Sequence, residues 1–178
     1  SAGSMRPASQ APGTRILPRS DLPAGLPGML EALARAAGRE ILTVYASDFT
    51  AVSKADSSPL TEADLRSHRT IVDGLALLSP GTPVLSEESA ALDYAQRSGW
   101  QRYWLVDPLD GTKEFISRNG EFTVNIALIE DQRPVLGVVH VPVPGTTYTG
   151  VVGEGAWRES PDKGREAIKV RSPASLPL

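Results

Sequence analysis

Trp104-Leu105-Val106-Asp107-Pro108-Leu109-Asp110-Gly111-Thr112-Lys113-Glu114-Phe115 is the stretch that decides how this chain is read. Tyr103 to Val106 is a four-residue apolar run, the pattern of a buried strand, and it stops at Asp107-Pro108. Pro108 restrains the residue before it to extended backbone, which holds Asp107 at the strand end. A turn is expected at Asp110-Gly111, where Gly111 permits a tight backbone or a close ligand. Asp107 and Asp110 stand three positions apart. On a rigid turn they can face a common point, and the Leu109 carbonyl between them can also point inward. Oxygen donors of this kind suit a hard cation such as Mg²⁺.

Upstream lies a second source of carboxylate. Val84-Leu85-Ser86-Glu87-Glu88-Ser89 reads as a short strand ending in acid, with Glu87 placed 20 residues before Asp107. Two strands that both end in acids would gather three or four carboxylates, an arrangement that is costly unless cations neutralise it. Two divalent ions in such a cluster would clamp a phosphoryl group for in-line attack. Backbone amides after Asp110 would face a phosphate if Thr112 opens a helical turn. Taken singly, Asp-Pro and Asp-Gly are ordinary turn dipeptides and Glu87-Glu88 is an ordinary surface pair. Their combination after two apolar strands is what is specific.

Outward from this centre, the pattern predicts an α+β chain. Leu26, Leu30, Leu33, Ala37, Ile41 and Val44 recur at helical steps. Residues 47 to 60 read as a loop. Thr61 with Asp64 resembles a capping box for a second helix, expected to bury Leu65, Val72, Leu75 and Leu78 and to end at Ser79-Pro80-Gly81. Ala90 to Arg97 reads as a short helix. Phe122, Val124, Ile126 and Leu128 alternate with smaller and polar residues, the mark of a strand with one apolar face. Asp131 to Pro134 is expected to turn the chain, so that Val135 to Val141 returns as a hairpin partner. Thr147 to Val152 and Ala167 to Val170 supply further strands, with a turn among Gly150, Gly153 and Gly155. Two long helices before a run of strands argue for layers rather than βαβ alternation.

Composition narrows the chemistry. The chain has 178 residues, 40% of them hydrophobic and 22% charged, enough for one domain with a sizeable core. Its formal net charge of -3 argues against a polymeric nucleic acid held by its phosphates. The absence of cysteine removes disulfides, thiolate metal sites and cysteine nucleophiles. No apolar run approaches the roughly 18 residues of a spanning helix. Residues 1 to 25 read as a mobile leader without a secretory signal. Ser1-Ala2-Gly3-Ser4 reads as an expression scar, with Met5 as the natural start.

Residues 52 to 141 closely resemble the bacterial 3'(2'),5'-bisphosphate nucleotidases of the inositol monophosphatase superfamily. Asp107-Pro108-Leu109-Asp110-Gly111-Thr112 matches the superfamily's most specific motif, and Ser86-Glu87-Glu88-Ser89 its companion. Lys113-Glu114-Phe115-Ile116 and Arg118-Asn119-Gly120-Glu121-Phe122-Thr123-Val124-Asn125-Ile126-Ala127-Leu128 follow the nucleotidase branch, where the inositol branch reads Thr-Asn-Phe in place of Lys113-Glu114-Phe115. Lys54-Ala55-Asp56 and Ser58 to Asp64 resemble the family's mobile loop and the start of its second helix.

The resemblance implies a layered α/β sandwich, represented in residues 26 to 178 by two long helices on a largely antiparallel sheet. It implies that Glu87, Asp107 and the Leu109 carbonyl hold one Mg²⁺, that Asp107 and Asp110 hold a second, and that Glu87 with Asp56 touches a weaker third. Thr112, helped by Asp56 or Glu87, would activate a water. Leu109, Asp110, Gly111, Thr112 and Glu87 would meet the scissile phosphate. The implied substrate is adenosine 3',5'-bisphosphate, hydrolysed to AMP and phosphate, or its sulfated derivative. Inhibition by Li⁺ and a cytoplasmic location, with peripheral attachment to the inner membrane as an alternative, also come from the resemblance. Members run roughly a hundred residues further, a length suited to a pair of domains. That stretch brings another metal-ligating Asp and most of the nucleoside pocket, so weak turnover is expected of these 178 residues alone.

Other residues carry less. Lys113 can pair with phosphate or with neighbouring acids. His68 reads as a packing residue, as do Trp100, Trp104 and Trp157, and His140 sits in an expected strand with no carboxylate nearby in sequence. No nucleophile-elbow spacing appears, which argues against a serine hydrolase. The competing readings are the same chemistry on an inositol phosphate or sugar bisphosphate, and a non-catalytic fragment that binds metal or phosphate.

Overall fold

Val124, Ile126 and Leu128 are buried while Thr123, Asn125 and Ala127 between them are half-exposed, and much the same alternation runs through the neighbouring strands of the sheet's centre. The structure is a computed structural model that describes residues 22–47, 58–86 and 94–169. Two 20-residue helices come first, α1 (Leu26–Tyr45) and α2 (Pro59–Leu78). They are followed by β1 (Val84–Ser86), α3 (Tyr94–Ser98), β2 (Arg102–Asp110), α4 (Thr112–Ser117), β3 (Thr123–Glu130), β4 (Arg133–Val141), β5 (Thr146–Val151), β6 (Gly155–Ser160) and β7 (Gly164–Ile168). The seven strands form one sheet in chain order; β1 pairs parallel to β2, and every later pair is antiparallel.

Both long helices lie on one face of the sheet, α1 across β3, β4 and β5 and α2 across β2. Leu30, Ile41, Ile71, Trp104, Ile126 and Leu136 fill the layer between them and are almost wholly buried. Polar groups that enter that layer have partners, Glu31 and His140 among them. Glu31 on α1 accepts from Thr149 Oγ1 at 2.7 Å and from Arg165 Nη1 at 3.1 Å, tying the helix to the far strands. His140 on β4 shares a 2.9 Å hydrogen bond between Nδ1 and Thr147 Oγ1. Its ring lies so close to Gly38 that a Cβ there would meet Cδ2 at 2.7 Å.

Several elements depart from expectation for local reasons. The N-cap of α2 is Ser58, whose Oγ accepts from the Thr61 amide at 3.2 Å, with Pro59 in the first turn; Thr61 is already helical. The buried stripe of α2 is Ala63, Ser67, Ile71 and Leu75, so Leu75 packs as expected while Ala63, Ser67 and Ile71 replace the others. Leu65 is exposed, and Val72 and Leu78 are half-buried. Small residues on that stripe bring α2 close to β2, where Ser67 Oγ donates to the Pro108 carbonyl at 2.7 Å. The β3–β4 turn narrows to Asp131-Gln132, whose φ values of 48° and 65° give the paired left-handed conformation that matches hairpin twist. Strand β6 was not expected, because Ala156 to Ser160 lacks an apolar alternation. Within the span assigned to a short helix, residues 90–93 lie outside the described part.

Candidate active site

Strand β2 does not stop at Val106 but continues through Asp107, Pro108 and Leu109 to Asp110. Residues three apart on a regular strand point to opposite faces. Here the register prevents that. Asp107 pairs with Asn125 and Asp110 with Thr123, so three steps on β2 match two on β3. The extra residue is a β-bulge, and it carries both carboxylates to the face that Thr123 and Asn125 share. Pro108 sits inside the irregular stretch, where a missing amide proton costs the ladder nothing. Leu109 turns its side chain into the core, so its polar contribution is limited to backbone.

Beyond the bulge, Gly111 has φ 92°, and a Cβ there would meet the Phe122 Cα at 3.2 Å and Glu114 Oε2 at 3.0 Å. Both conditions select glycine. Thr112 then opens α4 and is exposed. Two contacts fix that short helix. Phe115 packs with Phe122 and Tyr45, ring centroids 5.3 and 5.6 Å away. Arg118, left-handed at φ 58°, donates from Nη1 to the Tyr45 carbonyl at 3.0 Å and from Nη2 to the Ser47 carbonyl at 2.6 Å. These are carbonyls at the negative end of α1, where a cation is favoured.

Asp107 is half-buried and Asp110 exposed. Asn125 Nδ2 donates to Asp110 Oδ2 at 3.0 Å, and Thr123 Oγ1 donates to Asn125 Oδ1 at 2.9 Å. Asn125 is the site residue that sequence reading missed. In sequence it was one polar member of an alternating strand; only the bulge reveals what it faces. Beside these residues a shallow trough of ≈ 470 Å³ runs over Leu105, Asp107, Asn125, Ala127, Gly137 and Val139, on the sheet face away from the helices.

Asp56 and Glu87 lie outside the described residues, and among the described residues no three acids or histidines cluster. The parallel register of β1 ends at Ser86 beside Val106, one residue short of both Glu87 and Asp107. His68 is half-buried on α2, and His140 belongs to the helix side of the sheet. Burial pushes the His140 pKa down to about 4, aided by Arg35 and Arg39. Trp104 is in the core, and Arg165 stacks on Trp157 at 5.3 Å.

Residues 27–177 match the model of the inositol monophosphatase family. The chain belongs to the inositol monophosphatase family. Within that family it is 55% identical over 141 residues to the 3'(2'),5'-bisphosphate nucleotidase CysQ of Escherichia coli O157:H7, a match that covers 78% of this chain and 56% of that protein. The corresponding protein of Haemophilus influenzae is 36% identical over 146 residues, covering 82% of this chain and 54% of its own length. Among family structures, CysQ from Bacteroides thetaiotaomicron aligns with a TM-score of 0.66 at 49% identity, over 80% of this chain and 52% of that one. Mycobacterium tuberculosis SuhB aligns with a TM-score of 0.67 at 26% identity, over 85% and 54%. The chain thus spans about half the length of the family relatives it matches. No helix among the described residues is long and apolar enough to cross a membrane.

Proposed function

We propose that this chain carries the metal-binding portion of a Mg²⁺-dependent phosphatase that removes the 3'-phosphate of adenosine 3',5'-bisphosphate. The observation that carries the reading is the bulge in β2, which brings Asp107 and Asp110 to one face of the sheet. The donors there fit the ion: two carboxylates, hard oxygen ligands, open to solvent in a chain with no thiolate. Family membership and 55% identity to a 3'(2'),5'-bisphosphate nucleotidase support the substrate class.

Asp107 and Asp110, with Glu87 and the Leu109 carbonyl, would hold Mg²⁺ ions, and a fourth acid, Asp56, would reach a weaker site with Glu87. When bound, Mg²⁺ supplies a Lewis acid that offsets the charge of the phosphate. Thr112 would orient the attacking water through its hydroxyl, with Asp56 or Glu87 taking the proton. The bulged segment from Leu109 to Thr112 would present backbone groups to the phosphate. Water adds to phosphorus as the bond from phosphorus to the ribose 3'-oxygen breaks. That oxygen takes up a proton, leaving AMP and inorganic phosphate. The sulfated derivative offers the same 3'-phosphate.

Calorimetric titration of Mg²⁺ into the 178-residue chain tests the site. Asp107→Asn and Asp110→Asn are each expected to weaken binding tenfold or more, about 1.4 kcal/mol, without lowering the metal-free melting temperature. Unchanged affinity in both variants would overturn the assignment. Phosphate release by the whole gene product from adenosine 3',5'-bisphosphate, inositol monophosphate and fructose bisphosphate tests the substrate. Preference for either of the last two would replace the nucleotide reading.

A further inference from the structure

We propose that Asn125 is a positioning residue for the cation site, its carboxamide setting the orientation of the Asp110 carboxylate. This rests on the metal-binding reading above and goes beyond it.

The carboxamide has two chemically different ends, and the Asp110 carboxylate admits only the donor end. Ionised Asp110 can only accept, so Nδ2 is the end turned to it, and Thr123 Oγ1 donates to the Oδ1 left on the other side. Nδ2 donates to Asp110 Oδ2 at 3.0 Å. Asp110 is exposed and stands at the last position of β2, where a carboxylate would otherwise sample several rotamers. A donor fixed on one oxygen selects among those rotamers and aims the other oxygen. An amide performs this without adding charge. A carboxylate at 125 would repel Asp110, and a lysine or arginine would compete with the cation.

Register supplies the second half of the argument. Asn125 is the cross-strand partner of Asp107 and Thr123 that of Asp110. One side chain on β3 therefore stands opposite the first acid and bonds the second, spanning the bulge diagonally. A merely structural role would need no such reach, since the backbone ladder between β2 and β3 already holds the strands. Groups behind a metal ligand act in this way by fixing the ligand's direction, and their loss typically weakens metal binding 10–100-fold.

Asn125→Leu keeps the bulk and removes the amide, and Thr123→Val removes the hydroxyl that orients it. The readouts are Mg²⁺ affinity by calorimetry, Mn²⁺ binding by electron paramagnetic resonance, and melting temperature without metal. Asn125→Leu is expected to weaken Mg²⁺ binding roughly 10–100-fold, and Thr123→Val roughly threefold to tenfold, with metal-free melting unchanged in both. Affinities in both variants within about twofold of the parent chain, while Asp110→Asn loses binding, would overturn the role of Asn125 and leave the metal site standing. If the parent chain binds neither ion, both readings fall together. If Asn125→Leu does not fold, Thr123→Val decides the question by the same thresholds.

Discussion

The two faces of the sheet differ in kind although the same strands build both. Under α1 and α2, Trp104, Val106, Val124, Ile126, Leu136 and Val138 are almost wholly buried. On the other face their neighbours Leu105, Asp107, Asn125, Ala127, Gly137 and Val139 are half-exposed or exposed. One row on that face steps through Ala127, Gly137, Gly150 and Ala156, a low floor with little side chain. Strand alternation thus separates packed residues from exposed acids one residue at a time. The closed face supplies the buried area that holds the fold, and the open face presents the acids.

Substitutions can break or sharpen that contrast. The largest effect is expected on the closed face, from Phe122→Ala. Phe122 is fully buried against Tyr45 and Phe115, and its loss should lower unfolding free energy by about 3–5 kcal/mol in urea denaturation. Next comes pH, again through the closed face. His140 titrates at about 4 in the folded chain, against an ordinary value of 6.5. Between those values the unfolded chain binds the proton and the folded chain does not, so stability is full above pH 6.5 and falls as pH drops towards 4. The loss should approach about 3 kcal/mol, and His140→Gln should remove it from a pH series of unfolding curves. The smallest effect belongs to the open face. Leu105→Ser should shift stability by less than about 0.5 kcal/mol. A larger loss would mean that this face is covered in solution, and the contrast would fail.

The parts of this arrangement legible in sequence were those governed by a single period. The heptad-like stripe of α1 and the alternation of β3 are local patterns, and both elements lie where the pattern puts them. Elements that depend on a neighbour were harder to read. Strand β6 has no apolar period of its own, because it is held by ladders to β5 and β7 and by ion pairs such as Arg158 with Glu166. In α2 the eye went to Leu65, yet Ala63 and Ser67 face the sheet, since close approach to β2 and the Pro108 carbonyl favours small side chains there. The acids at 107 and 110 were legible as a motif. That they could face a common point was legible too, but as a turn; the bulge in the pairing of β2 with β3 that achieves it was not. Asn125 was hidden for the same reason.

The extra residue in β2 also makes the segment intolerant of changes in length. Remove Leu109, and a regular strand without a bulge could still bring the two aspartates to one face, but the core loses the side chain that anchors the segment from below. Add a residue while the one-residue bulge is kept, and Asp110 arrives at the slot facing the helices, among groups that cannot solvate a carboxylate. Length and side chain are therefore tied together between Asp107 and Asp110: the bulge sets where the acids emerge, and Leu109 holds the bulge to the core.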